Sequence, residues 1–170
     1  LQDSVTAILE RKMDEIGAIS GQAIVMEVET GEIKTLVGEG KPQYSGLMRT
    51  ISLLAALESG KVALTDTFDT KEGVCIIDGE ILKDHNWHRG GYGVIDVTKV
   101  LMVSSNIGVS RLIDENYHNQ PEKFVEGIYK LGIATPLNLD IPGAAKKPNI
   151  RKPTKENWYK TALPWMSIGY

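Results

Sequence analysis

Cysteine is almost missing from this chain: Cys75 stands alone among 170 residues. A single thiol excludes an intramolecular disulfide and any zinc site built on several cysteines. An excess of positive charge is missing too, since 19 Lys and Arg face 22 Asp and Glu, for a formal net charge of −3. Nucleic acid therefore has no basic footprint to bind. Long apolar runs are also absent, and nothing approaches the roughly 20 residues needed to span a bilayer. The opening "LQDSVTAILERKMDEIG" lacks the charged start, apolar stretch and small-residue cleavage site of a signal peptide.

What is present fits a globular domain. At 170 residues, 42% hydrophobic and 24% charged, the chain is long enough for one domain with a core and short for two. It stops at "WMSIGY", apolar and aromatic, where a natural end is more often polar and frayed. The expectation is a cut-out piece of a larger protein, with any targeting segment elsewhere.

Leu1, Val5, Ile8, Leu9, Met13 and Ile16 recur at helical spacing, predicting a first helix that ends near Gly17. "GQAIVMEVETGEIKTLVG" alternates on both sides of "ETGE", which predicts a β-hairpin turning at Gly31. From Tyr44 to Gly60, "YSGLMRTISLLAALESG" predicts a helix with Leu47, Ile51, Leu54 and Ala55 on its apolar stripe. "KVALTDTFDTKEG" reads as an irregular connection, and "VCIIDGEILKD" as a smaller hairpin about Asp78-Gly79. After the glycine-rich "DHNWHRGGYG", Val97, Val100, Leu101, Ser104, Ile107, Val109 and Leu112 mark one helix from about Asp96 to Asp114. Pro121 starts another, with Phe124, Ile128 and Leu131 on its apolar face and Gly132 closing it. "TPLNLDIPGAAKKPNIRKPTKENWYK" reads as a surface excursion. This order is α+β rather than alternating βα. A two-strand hairpin is marginal alone, so further strands are expected beyond Tyr170.

Few groups suggest chemistry. His85 and His88, three apart, ligate a metal only if their segment is helical, and its glycines favour a packed loop instead. Lys146, Lys147, Arg151, Lys152 and Lys155 read as a solvated basic loop, and His118 as a solvated connection. Ser104, Ser105 and Asn106 stand in an otherwise apolar helix, where hydroxyls and an amide must find partners. Back-bonding along a polar helix face accounts for them if they are taken alone.

These segments together, in order, resemble the transpeptidase domain of penicillin-binding proteins. "AIVMEVETGEI" is similar to that family's first strand pair and "LLAALESG" to the body of its nucleophile helix. "DHNWHRGGYGVIDVTKVLMVSSNIGVSRL" is similar to the second motif and its approach, and "LGIATPLNLDIPGAA" and "PWMSIGY" to the segments leading to the third. The resemblance runs nearly end to end and is nearest to the monofunctional enzymes of division and septum synthesis. It implies part of the fold shared with serine β-lactamases: a helical subdomain plus the first strands of an antiparallel sheet, as a single incomplete domain over residues 1–170.

In that family serine-x-x-lysine supplies a nucleophile and, one turn on, a base. Serine-x-asparagine faces it across the cleft, and lysine-threonine/serine-glycine on an edge strand binds the substrate carboxylate. The resemblance makes Ser104 the relay hydroxyl and Asn106 the amide that holds substrate. The first motif fails, because Gly46 stands at the nucleophile and Arg49 at the lysine, and no Ser or Thr has Lys three residues on. Ser45 is the adjacent hydroxyl and the candidate for an unusual nucleophile, although a one-residue shift turns a side chain about 100° around a helix. Lys160-Thr161-Ala162 resembles the third motif but precedes "SIGY", whereas the true motif is placed after it.

The resemblance further implies a location outside the cytoplasm, in the periplasm, with an inner-membrane anchor not in this chain. The implied ligands are a peptidoglycan stem peptide ending in D-alanyl-D-alanine or a β-lactam, with other wall and division proteins as partners and no metal or organic cofactor. Three readings follow: a disarmed transpeptidase homologue, an acyltransferase using Ser45, and a non-catalytic periplasmic scaffold or partner-binding module.

Overall fold

A computed structural model describes residues 1–39, 45–133, 135–136, 150–154 and 156–170, Ser45 in its backbone alone. Most of the proline- and lysine-rich excursion, with Lys146, Lys147 and Lys155, lies outside the described residues. The chain forms two compact units, Leu1–Gln43 and Tyr44–Tyr170.

The first unit is a helix on a hairpin. α1 (Gln2–Ile16) ends at Gly17, whose φ of 63° lets Gly17 N–H and Ala18 N–H reach back to the carbonyls of Asp14 and Met13. β1 (Gly21–Met26) pairs antiparallel with β2 (Ile33–Glu39), Ile24 opposite Leu36, and Gly31 takes a φ of 73° in the turn. The Gln2 side chain ties α1 to β2: Nε2 donates to Leu36 O at 2.8 Å, and Oε1 accepts from Thr35 Oγ1 at 2.8 Å. A Cβ on Gly21 would lie 2.7 Å from Met13 Sδ, so helix and strand meet where a larger residue would part them. Of the apolar stripe predicted for α1 only Met13 is buried; Leu1, Ile8 and Ile16 are exposed.

The second unit is helical with two short strand pairs. α2 (Ser45–Glu58) is followed by β3 (Thr67–Asp69), β4 (Val74–Ile77), β5 (Glu80–Lys83), a single 3-10 turn (Trp87–Arg89) and β6 (Val94–Asp96). Then come α3 (Val97–Met102), α4 (Asn106–Tyr117), α5 (Pro121–Lys130) and α6 (Ala162–Ile168). The β4–β5 hairpin turns on Asp78 and Gly79, with φ of 51° and 89°, as its Asp-Gly pair demands. The stretch read as irregular contains β3, which pairs with β6 some thirty residues on, Phe68 opposite Ile95. Beside this pair Gly73 and Gly91 press together so closely that a Cβ on Gly91 would lie 2.2 Å from Gly73 N.

α4 is the centre of the unit, with Ile107, Val109, Leu112 and Ile113 fully enclosed by α2, α3, α5 and α6. Truncating such a residue, Leu112→Ala for one, costs about 2–5 kcal/mol. α2 meets this core through Ser52, Leu53, Ala55 and Ala56. Of the predicted stripe Ala55 is buried and Ile51 half-buried, but Leu47 and Leu54 are 62% and 45% exposed. α2 is apolar nearly all round, and its small residues face inward because they let α5 and α6 approach. Ser52 Oγ, buried there, donates to Ser167 O at 2.7 Å.

The single helix expected from Asp96 to Asp114 is two helices, broken at Val103–Ser105. Both halves carry apolar residues toward one core, so periodicity ran through the break. Ser104 is accordingly not on a helix.

Candidate functional site

The break between α3 and α4 is made by three consecutive polar residues with three different tasks. Val103 closes α3, and Ser104 follows in the left-handed region at φ 50°. Its N–H donates to Leu101 O and that of Ser105 to Val100 O, both at 3.1 Å, a helix ending in which glycine is the usual left-handed residue. A non-glycine residue there costs on the order of 1–2 kcal/mol, and the hydroxyl it carries is exposed. Such a strained polar residue is a reason to suspect function.

Ser105 then caps α4. Its Oγ accepts from Gly108 N at 2.9 Å and donates to Asp84 Oδ2 at 2.7 Å. Asp84 is 1% exposed, and its other oxygen accepts from Ile107 N at 3.0 Å. A buried carboxylate thus meets the first turn of α4, where free N–H groups and the helix dipole favour negative charge. Asp84 N donates to Gly73 O, which fixes the end of the β4–β5 hairpin to the same spot. Asp84 was not expected from sequence, because an acid after a strand carries no signal of a partner twenty-one residues away.

Asn106, the first residue of α4, is half-buried and uses both ends of its amide. Nδ2 donates to Lys83 O at 2.8 Å, and Oδ1 accepts from Arg49 Nη1. Arg49 stands on the first turns of α2, one turn past Gly46. A Cβ on Gly46 would meet Arg49 Nη2 at 3.1 Å, so the guanidinium lies in front of the side chain that position 46 lacks. Arg49 Nε is buried and has no hydrogen-bond partner among the described residues.

Gly46, Arg49 and Asn106 are therefore brought together, with Ser104 two residues from Asn106 on its own exposed turn. Ser45 opens α2, but its side chain lies outside the described residues. Lys160-Thr161-Ala162 leads into α6, a helix and not an edge strand. His85 hydrogen-bonds Tyr92 at 3.0 Å, and His88 stands edge-on to Trp87, which also carries Lys83 Nζ 3.9 Å from its ring centre. His118 closes α4, its Nδ1 3.0 Å from Asp114 O. Among the described residues no three His, Cys, Asp or Glu side chains gather around a point that would hold a metal.

Chemically, position 46 offers no nucleophile. A guanidinium keeps its proton and donates only, so Arg49 is not a base. What the arrangement presents is a fixed cation with spare donors.

The model of the penicillin binding protein transpeptidase domain matches residues 21–169. A probable peptidoglycan D,D-transpeptidase PenA of Neisseria flavescens is 25% identical over 180 residues, covering 90% of this chain and 41% of its own length. Two solved structures are similar over 99% of this chain. A peptidoglycan glycosyltransferase from Burkholderia ambifaria has a TM-score of 0.76 at 26% identity, over 53% of its length. The transpeptidase domain of Burkholderia pseudomallei penicillin-binding protein 3, without ligand, has a TM-score of 0.75 at 25% identity, over 50% of its length. The chain thus spans about half the length, or less, of these relatives, and its fold is the α+β fold of their transpeptidase domains.

Proposed function

The chain belongs to the penicillin-binding protein transpeptidase family, and from that membership we propose that it serves peptidoglycan synthesis as a transpeptidase homologue that binds without acylating. The observation that carries this reading is the guanidinium of Arg49 held against Asn106 in front of Gly46. Covalent chemistry in this family requires a serine whose proton passes to a lysine one turn on. Here the serine is replaced by a residue without a side chain, and the lysine by a group that cannot accept the proton. An acyltransferase without its nucleophile keeps only the residual assistance of binding and polarisation.

The ligands of such a site are the stem peptide ending in D-alanyl-D-alanine and the β-lactams that mimic it, held non-covalently. Its setting is the extracytoplasmic face of the membrane in the septum-type machinery, where other wall and division proteins are its partners and an anchor outside this chain holds it. Within the chain Ser104 and Asn106 keep the binding half of the second motif.

Turnover tests this reading. The complete gene product is incubated with an N-acyl-D-alanyl-D-alanine peptide and released D-alanine is measured. No release above the protein-free control is expected. Release that vanishes in Ser45→Ala would overturn the reading in favour of Ser45 as the nucleophile, and release that persists would overturn it in favour of another one.

A further inference from the structure

Arg49 is a cation that no carboxylate among the described residues neutralises. Among those residues its one hydrogen bond is to the neutral amide of Asn106. Its Nε is buried and unsatisfied by any of them, while Nη2 faces the bare Cα of Gly46. A half-buried guanidinium with idle donors is costly unless something arrives to use them. The surroundings favour an anion. Arg49 lies within the first turns of a 14-residue helix, where the dipole is positive, and that first turn carries no acidic residue. Asn106 meanwhile holds the guanidinium by one edge, so the plane of the fork is set before any ligand binds.

We propose that Arg49 is the recognition residue for a peptide's C-terminal carboxylate. The carboxylate is received by the guanidinium that stands beside Gly46. A planar carboxylate suits the paired N–H groups of arginine better than any neutral group does. Loss of the side chain at position 46 and gain of arginine at 49 then act together: the bare Cα makes room for the guanidinium, and the guanidinium supplies the charge. A site that elsewhere in the family attacks a peptide here grips the peptide's end. This rests on the binding-without-acylation reading above and gives it a ligand atom and a protein atom.

The test compares an N-acyl-D-alanyl-D-alanine peptide with the same peptide carrying a C-terminal amide, by calorimetric titration of the complete gene product. The acid is expected to bind at least about tenfold more tightly than the amide, with affinity falling as salt rises. Arg49→Gln is expected to reduce the acid to the level of the amide. Arg49→Lys, which keeps the charge without the fork, is expected to fall between; thermal melts confirm that each variant is folded. Equal affinity for acid and amide, an unchanged preference in Arg49→Gln, or no binding of either peptide overturns the proposal. D-Alanine release in the same samples reports on acylation separately, so failure of the one reading is distinguished from failure of the other.

Discussion

Arg49 and Asn106, fifty-seven residues apart in sequence, are joined by a hydrogen bond from Nη1 to Oδ1 that links the first turns of α2 to the start of α4. Asn106 is itself anchored to Lys83 O, so the guanidinium is held through an amide to the end of a β-hairpin. The starts of α2 and α4 and the end of the β4–β5 hairpin are thereby tied to one side chain, and the groups around that tie can be tested one by one.

Asp84 and Ser105 should behave as one unit. Asp84→Ala leaves the Ser105 hydroxyl and the Ile107 N–H without a buried acceptor, a loss of about 3 kcal/mol. Ser105→Ala removes the cap of α4 and costs about 1 kcal/mol. Because the two share a hydrogen bond, the double variant should lose less than the sum of the singles. Urea unfolding of the four proteins measures this, and simple additivity would contradict the shared contact.

Ser104 makes an unusual prediction about glycine. At a φ of 50° any Cβ is strained, so Ser104→Gly should be more stable than Ser104→Ala by about 1 kcal/mol, the reverse of an ordinary position. For a chain of this size the melting temperatures should differ by about 2–4 °C. An alanine variant as stable as the glycine one would contradict the left-handed backbone at this residue.

Asp114 gives a pH dependence. Burial raises its carboxyl above the ordinary carboxylate range, more than His118 nearby lowers it, and Glu115 adds to the rise. A carboxyl raised on folding holds its proton more tightly in the native state. Its contribution to stability is full below the unfolded value of about 3.9 and is lost as pH rises through the folded one. Asp114→Asn should therefore gain on the wild type between acid and neutral pH, read as melting temperature against pH. A constant difference across that range would contradict it.

Cys75 should react slowly. Its thiol is half-buried on β4, and desolvation pushes its pKa up despite the opposing charge of Arg111. Since the thiolate is the reacting form, alkylation of the native protein near neutral pH should lag behind that of the urea-unfolded chain. Equal rates would contradict the burial.

Local signals in the sequence were enough for much of the fold. The Asp78-Gly79 turn, the Gly31 turn, the glycine after α1 and Pro121 at the head of α5 each act within a few residues, and the structure has all of them. What escaped depends on distance or on which apolar face wins. β3 and β6 are three residues each and polar in part, and only their pairing makes them strands. Leu47 and Leu54 fit a helical stripe with Ala55, but packing kept Ala55 and selected Ser52, Leu53 and Ala56 beside it. The break at Val103–Ser105 has no glycine or proline to announce it; it is made by a serine in a glycine's conformation and a serine cap. The residue types at Gly46, Arg49, Ser104 and Asn106 were legible one by one. That Arg49 reaches Asn106 and faces the empty position 46 was not, because it requires two helices to be packed first.

The central claim is that Gly46 and Arg49 leave this site without a nucleophile, and one measurement meets it directly. The complete gene product is incubated with benzylpenicillin and its intact mass is followed over time, alongside the unfolded protein as a control. The account predicts an unchanged mass throughout. A stoichiometric increase of one penicilloyl group on the folded protein, whichever residue peptide mapping assigns it to, would contradict it.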